Sequence, residues 1–142
     1  MSQSLRAKKI EHGMENANSQ EILIVDDTTE NLHLLTAILV DYGYRVRSAS
    51  SGRSALLLAG AASPDLILLD VRMPEMNGYE VCRQLKSAEP TRSIPVIFIS
   101  ILDETDDKVK GFDAGGVDYI TKPFQPREVL ARVSPSLPAQ FE

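Results

Sequence analysis

The run Leu66-Ile67-Leu68-Leu69, ending in Asp70, constrains this chain more than any other stretch. Four consecutive apolar residues suit a short strand buried on both faces, as strands of a helix-covered parallel sheet are. Two further runs have the same character, Glu21-Ile22-Leu23-Ile24-Val25 before Asp26-Asp27, and Pro95-Val96-Ile97-Phe98-Ile99-Ser100. Two weaker segments complete a set of five: Tyr44-Arg45-Val46-Arg47-Ser48-Ala49, which alternates like an edge strand, and the short Val117-Asp118-Tyr119-Ile120.

Helical segments fill the intervals. Leu32, Leu35, Ile38, Leu39 and Tyr42 recur at helical spacing, with N-cap candidates in Thr28-Thr29-Glu30 and a stop at Gly43. A second helix runs through Ala55, Leu56, Leu58 and Ala59, and a third from about Gly78 to Ser87. A fourth opens on Asp103-Glu104-Thr105-Asp106-Asp107, acids favoured at the positive end of a helix dipole, and stops at Gly115-Gly116. Pro126 starts a fifth with Val129, Leu130 and Val133 as its apolar face. Parallel strands need crossover helices, and right-handed crossovers place them on both sides of the sheet. The expected fold is therefore a doubly wound α/β domain with a five-stranded parallel sheet.

Residues 1–20 read as a loose polar leader, 21–133 as the domain and 134–142 as an irregular tail. A length of 142 residues is about one domain's worth. A net charge of −5 argues against a nucleic-acid surface, where Lys and Arg would be in excess. No apolar run approaches the ~20 residues a membrane helix requires, and the first residues lack a signal peptide's apolar segment. The expectation is a cytoplasmic protein that contacts neither membrane nor nucleic acid. Cys82, the single cysteine, cannot form an intrachain disulfide and is expected to fill a buried helix position.

The polar residues then fall into a pattern. Asp26 and Asp27 end the first strand, Asp70 the third and Ser100 the fourth, while Lys122 follows the fifth. Carboxyl ends of the strands form the ligand crevice of an open parallel sheet, so all five converge on one edge. Alone, Asp70 would more often merely open a turn completed by Pro74 and Gly78. In this company it reads otherwise. Three converging carboxylates raise one another's pKa unless a cation lies among them, and hard oxygen ligands suit Mg²⁺ or Mn²⁺. With a lysine and a hydroxyl beside them, the set suits phosphoryl transfer onto a carboxylate.

These motifs, in this order over roughly Glu21 to Val133, resemble the receiver domains of two-component response regulators. The resemblance implies a flavodoxin-like strand order 2-1-3-4-5 and a module that catalyses only its own phosphorylation and dephosphorylation. It implies Asp70 as the acceptor of a phosphoryl group from a phosphohistidine of a sensor kinase or phosphotransfer protein. By the same resemblance Asp26, Asp27, Asp70 and the backbone carbonyl of Arg72 hold Mg²⁺. Lys122 binds a phosphoryl oxygen, Ser100 is the hydroxyl that moves to meet the group, and Tyr119 is the aromatic switch whose ring turns inward. The bond between Lys122 and Pro123 is expected to be cis.

Two features depart from the family pattern. Ile101 stands where a small residue is usual, so slower phosphorylation or hydrolysis is expected from its bulk. Pro135 and Pro138 should stop the last helix near Val133, leaving part of the first strand's flank uncovered. Homodimerisation through the fourth helix, fifth strand and fifth helix, or by exchange of segments, would hide such surface. An Asp-nucleophile phosphatase is disfavoured because such enzymes carry Asp-x-Asp, whereas Val71 and Arg72 follow Asp70. A scaffold that keeps the fold without phosphorylation is the alternative reading.

Overall fold

The computed structural model describes residues 20–101 and 105–139. The leader up to residue 19, Asp103, Glu104 and the end of the tail from residue 140 lie outside the described residues. Among the described residues the strands are β1 (Glu21–Val25), β2 (Arg45–Ala49), β3 (Leu66–Asp70), β4 (Val96–Ser100) and β5 (Asp118–Thr121). They alternate with α1 (Thr29–Tyr42), α2 (Gly52–Ala61), α3 (Gly78–Ser87), α4 (Thr105–Asp113) and α5 (Pro126–Ser136). Every strand pair is parallel and the order is β2-β1-β3-β4-β5, the doubly wound arrangement expected. None of these helices is long and apolar enough to cross a membrane.

The pleat explains the uninterrupted apolar runs, because successive side chains enter opposite cores. Ile22, Ile24, Leu66 and Leu68 pack with Leu35 and Leu39 of α1 and Val129 and Val133 of α5. Leu23, Val25, Ile67 and Leu69 face the other way, toward Ala55 and Ala59 of α2 and Val81, Cys82 and Leu85 of α3. Cys82 is fully buried, as expected of a filler. Each such aliphatic side chain contributes roughly 1.5–3 kcal/mol. That burial offsets the cost of carrying Asp26, Asp70 and Ser100 in the interior at the sheet's C-terminal edge. At the open edge, β2 presents charge: Arg47 meets Glu21 at 3.0 Å and donates to the carbonyl of Leu58 at 3.3 Å and to that of Ala62. Charges there discourage pairing with another sheet.

One expectation is borne out in position and one is corrected. Thr28 is the N-cap of α1, but its side chain makes no capping bond. The last helix runs on to Ser136, past Val133, with Pro135 inside its final turn. Proline there removes one N–H, and neighbouring groups satisfy the carbonyls around it. Leu137 N donates to Val133 O at 3.2 Å, and the Ser136 hydroxyl to Arg132 O at 2.9 Å. Leu137 then packs on the core containing Ile22 and Ile24, so the flank of β1 is covered.

The loop from β3 to α3 sets the backbone immediately beyond Asp70. Asn77 and Glu80 form a reciprocal capping box, at 2.9 and 3.0 Å, that starts α3. Gly78 N donates to Val71 O at 2.8 Å, and a Cβ at Gly78 would collide with the carbonyl oxygen of Asp70. Only glycine lets the helix start this close to the strand end. Within the loop Glu75 has φ 71°, the left-handed region. That conformation costs an L-residue roughly 1–2 kcal/mol. Glycine avoids it while adding about 0.4–1 kcal/mol of unfolded-state entropy to be lost. Strain relief is the larger effect. Glu75→Gly is expected to stabilise the domain by about 0.5–1 kcal/mol, a rise of ~2–4 °C in Tm. Thermal denaturation checks this, and a Tm no higher than that of the parent would refute the strain.

Candidate functional site

The carboxyl edge of the sheet brings the expected groups together. Asp26 follows β1 and is fully buried, whereas Asp27 beside it is exposed. Asp26 Oδ1 accepts from Thr28 N at 2.8 Å, a local turn that leads the chain into α1. Its Oδ2 accepts from Asn31 Nδ2 at 3.2 Å. Lys122 Nζ lies 3.4 Å from that same oxygen and 3.2 Å from Asp70 Oδ1, so one ammonium bridges two carboxylates. The Lys122 backbone is held by its N–H to Ser100 O at 2.9 Å, and the peptide bond to Pro123 is cis, as expected.

Carboxylate oxygens of Asp26, Asp27 and Asp70 all lie within 4.8 Å of one another. Three acids against one lysine leave an excess of negative charge, and two of the three are buried. Burial, then the charge of Asp26, pushes the Asp70 carboxyl up to about 6. Lys122 opposes this, and Asp27 adds to it. A divalent cation bound by these oxygens would supply the missing positive charge. The donor set fits such an ion.

Ser100 is buried at the end of β4, one residue beyond the register partner of Asp70. Tyr119 on β5 is buried, its ring centroid 5.8 Å from that of Phe98. Ile101 is 62% exposed and stands with Asn31, Leu34, Lys122, Pro123 and Phe124 around a groove of about 350 Å³. Its bulk therefore stands at the rim beside Lys122. Arg72 is exposed and lines a separate cleft with Asn77, Tyr79, Asp107 and Lys110. Met73 and Met76 pack against the core beneath the loop. His33 is exposed.

Residues 22–134 match the response regulator receiver domain. The chain belongs to that family. The receiver is 45% identical over 115 residues to the response regulator PleD of Caulobacter vibrioides, covering 81% of this chain and 25% of that protein. The chain thus spans a quarter of PleD and about half of the transcriptional regulatory protein ResD of Bacillus subtilis, 25% and 49% of their lengths. Among solved structures, the chemotaxis protein CheY4 of Vibrio cholerae is 29% identical with a TM-score of 0.81, covering 84% of this chain and 99% of that one. The receiver domain of the sensor histidine kinase PA1611 of Pseudomonas aeruginosa is 32% identical with a TM-score of 0.77, over 83% of this chain and 97% of that one. That protein was crystallised with a magnesium ion in its active-site cleft.

Two residues of the site region escaped sequence reasoning. Asn31 lies in the first turn of α1 and reaches back to Asp26; its placement five residues after the acid is the signal that could have found it. Tyr79 hydrogen-bonds the Tyr119 hydroxyl across 40 positions of sequence, which no local pattern announces.

Proposed function

We propose that this receiver takes a phosphoryl group from a phosphohistidine onto Asp70 with Mg²⁺ present, and changes its partner binding as a result. The observation that carries the reading is the cluster itself: Asp70 buried within 4.8 Å of Asp26 and Asp27 oxygens, with Lys122 Nζ 3.2 Å away. A carboxylate oxygen of Asp70 forms the new P–O bond as the P–N bond to imidazole breaks, and the imidazole nitrogen keeps that electron pair. Asp26, Asp27, Asp70 and the carbonyl of Arg72 would hold Mg²⁺, which when bound would supply positive charge toward the phosphoryl oxygens. Lys122 meets another of those oxygens. The Ser100 hydroxyl is the donor that moves to the group, and Tyr119 is the ring that follows it. The magnesium of the Pseudomonas relative supports the choice of ion.

Incubation with Mg²⁺ and acetyl phosphate, followed by intact-mass spectrometry, is expected to show a gain of one phosphoryl group. No gain from acetyl phosphate or from a kinase, with the fold intact, would leave the scaffold reading in its place.

The partners of this reading are a sensor kinase or phosphotransfer protein and a second copy of the receiver. Because the β1 flank is covered, it offers no surface for a dimer. The support comes instead from the half-exposed apolar set Val109 and Phe112 of α4 with Val117, beside the pair in which Arg132 Nη1 meets both Asp118 oxygens at 3.0 and 3.2 Å. Light scattering is expected to show mass rising with concentration, more steeply after phosphorylation. A monomer mass at every concentration in both states would refute the dimer.

A further inference from the structure

Tyr119 lies inward, and the structure contains more to keep it there than packing requires. Its hydroxyl is 2.7 Å from that of Tyr79, and these lie 3.2 and 3.1 Å from the carbonyl oxygen of Asp107. Two phenolic protons serve three contacts, so one phenol donates to the other and the second donates to the carbonyl. The cluster joins the first turn of α3, the middle of β5 and the first turn of α4. Phe98 fills the space between the rings, 5.2 Å from Tyr79 and 5.8 Å from Tyr119.

Gly111 supplies a second, independent observation. A Cβ there would stand 2.8 Å from Tyr119 Cε2 and 2.9 Å from Phe98 Cδ2. The inward ring thus occupies room that any side chain on α4 at this position would take. Burial, followed by the Tyr79 hydrogen bond, raises the Tyr119 phenol well above its ordinary value, so Tyr119 keeps its proton for these contacts at neutral pH.

We propose that Tyr79 is a positioning residue for the switch, its hydroxyl and the seat left by Gly111 holding Tyr119 inward before Asp70 is phosphorylated. The inference rests on Tyr119 being the switch residue. Its consequence is a receiver whose α4 and β5 surface is biased toward the phosphorylated arrangement from the start. Phosphorylation then adds to a population already present.

The test is fluorine NMR of the 3-fluorotyrosine-labelled full chain, with the Tyr119 signal assigned by Tyr119→Phe. Spectra are taken with and without Mg²⁺ and beryllium trifluoride, a phosphoryl mimic. In the parent, the Tyr119 signal is expected mostly at its inward position without the mimic and wholly there with it. Tyr79→Phe keeps the ring and removes one hydrogen bond, which is about a three- to tenfold shift toward the outward ring, reversed by the mimic. Gly111→Ala is expected to move Tyr119 outward in both conditions. Should that variant fail to fold, the near-isosteric Tyr79→Phe carries the test alone. A Tyr79→Phe signal identical to that of the parent without the mimic would overturn the proposal, as would an outward ring in the unphosphorylated parent. An outward shift in Tyr79→Phe that the mimic does not reverse, with Asp70 shown reactive by mass, would keep the positioning role and remove the switch reading of Tyr119.

Discussion

Asp70→Asn is expected to abolish the phosphoryl mass gain and to make the metal-free protein more stable. The two effects have one cause. Asp70 is buried among acids, and its carboxyl is pushed up to about 6 from 3.8, by burial first and the Asp26 charge second. Between pH ~4 and ~6 the folded chain holds a proton that the unfolded chain has released, so stability falls as pH rises through that window. Above it the penalty is complete, on the order of 2–3 kcal/mol for a shift of this size. Asparagine keeps the shape and an oxygen that can accept from Lys122, but carries no charge. The variant should therefore exceed the parent by about 1–3 kcal/mol at pH 7.5 without Mg²⁺, with the gap closing near pH 4. Added Mg²⁺ should narrow the gap by stabilising the parent. Urea denaturation at the two pH values, with and without Mg²⁺, measures it. A variant less stable than the parent at pH 7.5 would mean that Asp70 is not under electrostatic strain. A loss of phosphorylation accompanied by greater stability cannot be ascribed to unfolding.

How far the sequence reveals this arrangement depends on whether a feature is encoded locally. Leu66 to Leu69 are legible because a strand covered on both faces needs apolar residues at consecutive positions, and the structure buries all of β3. Asp26, Asp70, Ser100 and Lys122 are legible because each directly follows or closes a strand, and parallel strands bring those ends to one edge. The strand order is different: periodicity does not specify which strands are neighbours, and only the family resemblance implies it. Pro135 misleads because proline's helix cost is an average over interior positions. At the end of α5 the Ser136 hydroxyl and the packing of Leu137 let the helix run on. Tyr79 is silent for another reason, and Asn31 carries only its spacing from Asp26. Asparagine in α1 and tyrosine in α3 are ordinary helix residues until the fold places them 3.2 Å from Asp26 and 2.7 Å from Tyr119.

Lys122→Met should slow phosphorylation by acetyl phosphate by about 10²–10³-fold, the usual cost of removing one donor to developing oxyanion charge. The same substitution removes the ammonium that stands 3.2 Å from Asp70 and 3.4 Å from Asp26. Without it the Asp70 carboxyl rises further, so less of its carboxylate form is present at neutral pH in metal-free protein. The variant should consequently bind a proton more readily, with its stability advantage at low pH extending to higher pH than in the parent. Breaking a buried charge pair costs about 3–5 kcal/mol, and the partial exposure of Lys122 reduces this to roughly 2 kcal/mol at pH 7.5. Lys122→Arg separates the two roles. It retains the charge and should recover most of the stability, but a planar guanidinium does not replace a compact ammonium between two carboxylates, so the rate should stay low. Initial rates by intact mass, set beside denaturation of both variants, decide the matter. Parent-like rates in Lys122→Met would remove Lys122 from the chemistry and leave it only the task of holding Asp26 and Asp70 together.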